Sequence, residues 1–161
     1  MFWEFFHPVV MWWGNTAFAL WIGKSVERIA WLFIFHTLGL TLLLGTLVVA
    51  NLRLFGLVFR REPVAELARD LDPLTVIGLC LTLTSGALIF TGGAPNYYIV
   101  EWFRTKMILL VLALLFHFSV FRKMIRADEG RFHPILTRLS GAVALLLWFG
   151  VGIAGRAIAF F

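Results

Sequence analysis

From Ile29 to Gly56 the chain reads IAWLFIFHTLGLTLLLGTLVVANLRLFG, an apolar run broken by one histidine, His36, and closed by Asn51 and Arg53. About 20 predominantly apolar residues suffice for a helix to cross the hydrocarbon of a bilayer. Inside that hydrocarbon every backbone amide must find its partner within the protein, which leaves only helices or a closed barrel. A barrel strand alternates polar and apolar side chains, and no such alternation is present. The run is therefore a transmembrane helix.

Composition agrees. Hydrophobic residues make up 61% of the 161 and charged residues only 14%, against about 25% charged in soluble domains. The formal net charge of +5 reads as a loop-orientation signal rather than a nucleic-acid footprint, so the expected surroundings are a lipid bilayer and no nucleic acid. The single cysteine, Cys80, rules out an intrachain disulfide and reads as a buried, inert thiol.

Four spans are predicted, at about 27–59, 73–90, 102–124 and 134–159, forming an all-α, integral membrane four-helix bundle over residues 26–161. Residues 1–25 precede it. They are rich in Trp and Phe and are interrupted by Pro8, Gly14, Asn15 and Gly23, which suits an amphipathic segment at the interface beside the bundle better than a fifth span. They lack a basic leader and a small-residue cleavage site, so the mature chain is expected to begin at or near Met1. Between the first two spans, residues 60–73 predict a short surface helix. The segment 91–101, with Gly92, Gly93 and Pro95, predicts an outer loop.

Basic residues flanking the first and third connections (Arg53, Arg60, Arg61, Arg69, Arg122, Lys123, Arg126, Arg131, Arg138) outnumber those at the other end (Lys24, Arg28, Arg104, Lys106, Arg156). The positive-inside rule then places the basic connections in the cytoplasm and both termini, with the 91–101 loop, outside.

Few motifs carry chemistry. Gly150, Gly152 and Gly155 match GxGxxG, but inside an apolar helix without the preceding strand a pyrophosphate site needs. With Gly39, Gly45 and Gly141 they read instead as small residues that let helices approach. Neither HExxH nor CxxC occurs, and no catalytic triad or carboxylate pair is visible. Ionisable residues within spans are costly and mark functional sites by default. His36 and His117 are the two intramembrane histidines, and a haem b or metal between them is one reading. Depth opposes it: His36 lies roughly 25 Å from the basic end and His117 about 8 Å, at 1.5 Å per residue. A haem using His36 with His7 or Met107 stays open. The alternative for His36 is a hydrogen bond to a neighbouring helix, for instance to Thr82 or Thr84.

Near the depth of His36 lie Lys106, Arg156, Glu27 and Glu101. Turned inward, His36, Lys106 and Arg156 form a polar pocket suited to a quinone head group or a lipid phosphate.

His36-x-x-Gly39, Gly45, Asn51-Leu-Arg53-Leu-Phe-Gly56, Lys106 and Gly155-Arg156 resemble an uncharacterised family of small bacterial membrane proteins, in which an HxxG helix ends in a DLRLLG-like motif and three more helices follow. The resemblance implies the four-helix fold and singles out His36, Lys106 and Arg156. Here Asn51 stands where that family carries an acid, which removes a partner for the cytoplasmic Arg53. A fainter similarity to membrane b-type cytochromes and copper-resistance membrane proteins rests on helix count and intramembrane histidines. These features predict an anchor or accessory subunit of a redox-linked assembly. The alternatives are a haem b electron carrier and a purely structural homo-oligomer packed through the Gly141–Gly155 stripe.

Overall fold

The computed structural model describes residues 2–59, 61, 63–127 and 132–160. Met1, Arg60 and Arg131, which enter the expectations above, lie outside them. All regular structure among the described residues is helical: α1 Phe2–Gly14, α2 Ala17–Gly23, α3 Val26–Leu54, α4 Val64–Ile99, α5 Glu101–Ile125 and α6 Pro134–Ala157. The last four are long and apolar enough to cross a membrane, and they mark a multi-pass membrane protein. An even number of crossings leaves the bundle with a terminal end, near Val26, Ile99, Glu101 and Ala157, and a loop end, near Leu54, Val64, Ile125 and Pro134.

Local chemistry starts and stops these helices. Thr16 and Ser25 cap α2 and α3 by accepting from the amides of Ala19 and Arg28, satisfying donors the first turn leaves open. Glu27 and Glu101 occupy the first turns of α3 and α5, where a helix favours negative charge. Beyond α3, Gly56 takes a positive φ of 75°, a conformation glycine adopts without penalty. His133 caps α6, its Nδ1 accepting from the Ile135 amide, and Pro134 takes the first position, where its missing N–H costs nothing.

Two expectations about α4 are corrected. The surface helix and the second span are one continuous helix from Val64, because Pro73 interrupts it only where Arg69 and Pro73 are both exposed and the carbonyl left without a partner can meet solvent. At the other end the expected loop is helical as far as Ile99, with a kink at Gly93 (φ −142°, ψ 26°). Pro95 supplies no N–H to the turn before it, so the helix breaks there instead of ending.

The helices form two pairs. α3 packs along α4 and α5 along α6, while contacts between α3 and α6 join the pairs. Large apolar side chains such as Trp31, Phe35, Leu112, Leu146 and Ile153 face outward. Many interior positions carry small residues, among them Ala113, Ser140, Gly141, Ala144 and Ala154, packed around Leu43, Leu47, Phe121 and Trp148. That inversion is expected in lipid, where helices associate by close packing rather than by hiding apolar area from water. It also corrects the reading of Cys80, which is exposed on the outer surface of α4: an apolar stretch can face lipid as readily as a core.

Helix backbones come into close contact where α3 crosses α4. A Cβ on Gly78 would lie 2.7 Å from the Leu43 amide nitrogen and 3.0 Å from the Gly39 carbonyl, and one on Gly39 2.8 Å from the Thr82 amide nitrogen. The amino-terminal helices pack on the far half of α4 through further glycines, Gly14 against Pro95 and Gly23 against Gly92.

Candidate functional site

The crossing at Gly39 and Gly78 brings His36, one turn earlier on α3, against Thr82 and Ser85 of α4. His36 Nδ1 lies 3.0 Å from the Thr82 carbonyl and 3.1 Å from Ser85 Oγ. A carbonyl can only accept, so Nδ1 carries a proton, and in the neutral form of the ring Nε2 is then the acceptor. Ser85 in turn donates to the Leu81 carbonyl at 2.5 Å. Thr82 was an expected partner, and it serves through its carbonyl. Thr84 instead donates to the carbonyls of Cys80 and Leu81.

Two glycines make the room. A Cβ on Gly86 would lie 3.0 Å from Cε1 of His36, so the imidazole lies over a bare stretch of α4. On α6, a Cβ on Gly155 would lie 3.3 Å from Nζ and 3.4 Å from Cε of Lys106, whose stem crosses that notch from α5. The Lys106 ammonium bears electrostatically on His36. Two half-sites result: the imidazole of α3 with its orienting carbonyl and hydroxyl on α4, and the lysine of α5 in its notch on α6, within electrostatic range of each other. His36 and Lys106 are both half-buried. They lie within the spans, roughly 15 Å and 8 Å from the starts of their helices at 1.5 Å per residue.

A model of a family of unknown function, DUF6644, matches residues 10–161. The chain belongs to this family. No curated protein and no solved structure matches it. Membership in DUF6644 accords with the sequence resemblance to an uncharacterised family and names no reaction.

The structure distributes the other expected residues as follows. Arg156 is exposed, its guanidinium stacked 4.7 Å above the Phe160 ring. Glu27 and Glu101 are exposed at their helix starts. His117 is buried near the loop end, sharing a small cavity with Thr46, Leu47 and Ala50. Those α3 residues lie roughly 15–21 Å along the helix from His36, so one iron cannot take both histidines as axial ligands. Asn51 is fully buried, donating to the Leu47 carbonyl while Oδ1 sits 2.1 Å from where a Cβ on Gly141 would be. Residues two apart on a helix point to different sides, so an acid at position 51 would not have faced Arg53. Gly150 meets Leu109 at ordinary contact distance, whereas Gly45 and Gly152 have nothing within 4 Å.

Sequence reasoning missed Ser85, Gly86 and Asp72. Asp72 of α4 receives both Arg122 and Arg126 of α5 on one oxygen, at 2.6 and 2.5 Å. The two arginines stand four apart on one helical face, a visible signal that an acid lies opposite. Also unforeseen is a cavity of about 260 Å³ at the terminal end, where Arg104 and Tyr98 face Trp3, Glu4 and His7 of α1.

Proposed function

We propose that the protein is a membrane anchor or accessory subunit of a redox-linked assembly, and that its His36–Lys106 site receives the carbonyl-bearing head group of a quinone-type, lipid-soluble ligand. The observation that carries this is an imidazole with a proton held on Nδ1 and, within its electrostatic range on α5, a lysine whose stem lies in a glycine notch. The ammonium donates to a quinone carbonyl, and the bare Nε2 accepts from the hydroxyl of the reduced form, so both redox states find a partner. The site lies within the spans, so a ligand reaches it from the bilayer. In the orientation the basic connections favour, the site lies toward the periplasmic side of a bacterial inner membrane. Arg156, at the same end, attracts an anionic rim group without touching the ring.

The test is equilibrium binding of a short-chain quinone to the full-length protein in lipid nanodiscs, followed by quenching of tryptophan fluorescence. Saturable binding is expected. His36→Phe and Lys106→Gln should each weaken it by roughly tenfold or more, the worth of one hydrogen bond to a charged or strongly polar partner. Unchanged affinity in both variants would refute the assignment.

A further inference from the structure

At the loop end a second polar cluster stands apart from the His36 site. A cavity of about 30 Å³ lies between α3, α4 and α5, lined by Thr46, Asp72, Thr75, His117, Arg122 and Arg126 among others. Residues His117–Phe121 form a π turn within α5, which holds one residue more than an α turn and is a recurrent device at functional sites. His117 opens this turn and is 5% exposed.

The donors and acceptors around the cavity do not balance. Both guanidiniums share Asp72 Oδ2, so among the described residues the cluster holds two cations against one carboxylate. Thr75 directs its hydroxyl to Thr46 and to the Leu71 carbonyl, and Thr46 directs its own to the Leu43 carbonyl. Three nitrogens remain buried without a partner: Nε of Arg122, Nε of Arg126 and Nδ1 of His117. Buried donors left unpaired are costly, and the excess positive charge sits on side chains only 30% and 35% exposed, where solvent screens it in part. Acceptor and negative charge are wanted in one place.

We propose that this cavity binds a small monovalent anion of halide size, which bridges α4 and α5 at the loop end. Volume selects the class. About 30 Å³ accommodates a water or a monatomic ion. Charge selects the sign, because a metal cation would be repelled by the excess guanidinium. The anion accepts from the imidazole and guanidinium N–H groups and neutralises the cluster. It thereby braces α4 to α5, which otherwise pack chiefly on α3 and α6.

The test is the unfolding midpoint of the purified full-length protein at constant ionic strength, with gluconate replaced stepwise by chloride or bromide. The midpoint should rise saturably with halide. Arg126→Gln keeps the Asp72–Arg122 pair but cancels the excess charge, and should weaken the apparent halide affinity by roughly ten- to a hundredfold, the worth of one hydrogen bond to an ion. Asp72→Asn adds to the excess and should tighten it. A merely structural ion pair would lower stability in both variants and leave any halide response untouched. A midpoint indifferent to the anion means that water fills the cavity, and overturns the proposal. So does a shift of halide affinity in the same direction in both variants. If Asp72→Asn does not fold, Arg126→Gln and His117→Phe decide, and an unchanged halide response in either one overturns it.

Discussion

Replacing Gly78 by alanine tests whether the α3–α4 crossing holds the candidate site in shape. The added methyl would lie 2.7 Å from the Leu43 nitrogen, 3.0 Å from the Gly39 carbonyl oxygen and 3.1 Å from Leu43 Cα, all backbone atoms. Ordinary contact begins at 3.4 Å, so the helices must part by up to about 0.7 Å at that point, since no side chain can swing aside. Overpacking of this kind costs roughly 1–3 kcal/mol. The damage should not stay local. Thr82 is one turn beyond Gly78 and His36 one turn before Gly39, so the 3.0 Å contact from His36 Nδ1 to the Thr82 carbonyl would stretch toward ~3.5 Å, where a hydrogen bond ceases to count. The assay pairs reversible unfolding in mixed detergent with the quinone titration, Gly45→Ala serving as control because a methyl there would meet no other part of the protein within 4 Å. Gly78→Ala should lose stability and weaken quinone binding together, while Gly45→Ala does neither. A Gly78→Ala protein as stable as its parent would refute the reasoning.

Three further outcomes follow from other contacts. Gly141→Ala should destabilise by roughly 1–3 kcal/mol, because its methyl would meet Asn51 Oδ1 at 2.1 Å and Leu54 at 2.8 Å; adding Asn51→Ala should recover part of that loss in a double-mutant cycle of unfolding free energies. Cys80, on the outer face of α4, should react in proteoliposomes with a membrane-permeant maleimide and resist a charged one, and equal labelling by both would place it outside the lipid. Thr16→Ala removes the acceptor for the Ala19 amide and should cost about 1 kcal/mol, read by thermal unfolding, with no effect on quinone binding.

Much of the architecture was legible in the residues themselves. Four runs of apolar residues of bilayer-crossing length specify four helices, because hydrophobic length is a local property that needs no knowledge of neighbours. The capped starts at Ser25 and at His133-Pro134 are equally local. So is the presence of His36 and Lys106 inside spans, where their cost alone singles them out. The ends of α4 were misjudged because proline and glycine signal a break in a soluble loop, whereas a long helix can carry Pro73 and Pro95 at the cost of a kink.

What the sequence could not determine is which faces meet. In a soluble helix the polar side shows where the core is not; in a spanning helix both lipid and core are apolar, and that periodicity fades. Only the tertiary structure could therefore turn His36 onto the Thr82 carbonyl, lay Lys106 across Gly155, stack Arg156 outward on Phe160 and bring Asp72 to Arg122 and Arg126. The lengths of its apolar runs determined that the chain has four helices able to cross a membrane. Backbone approach at a few glycines decided which of its polar groups share a site.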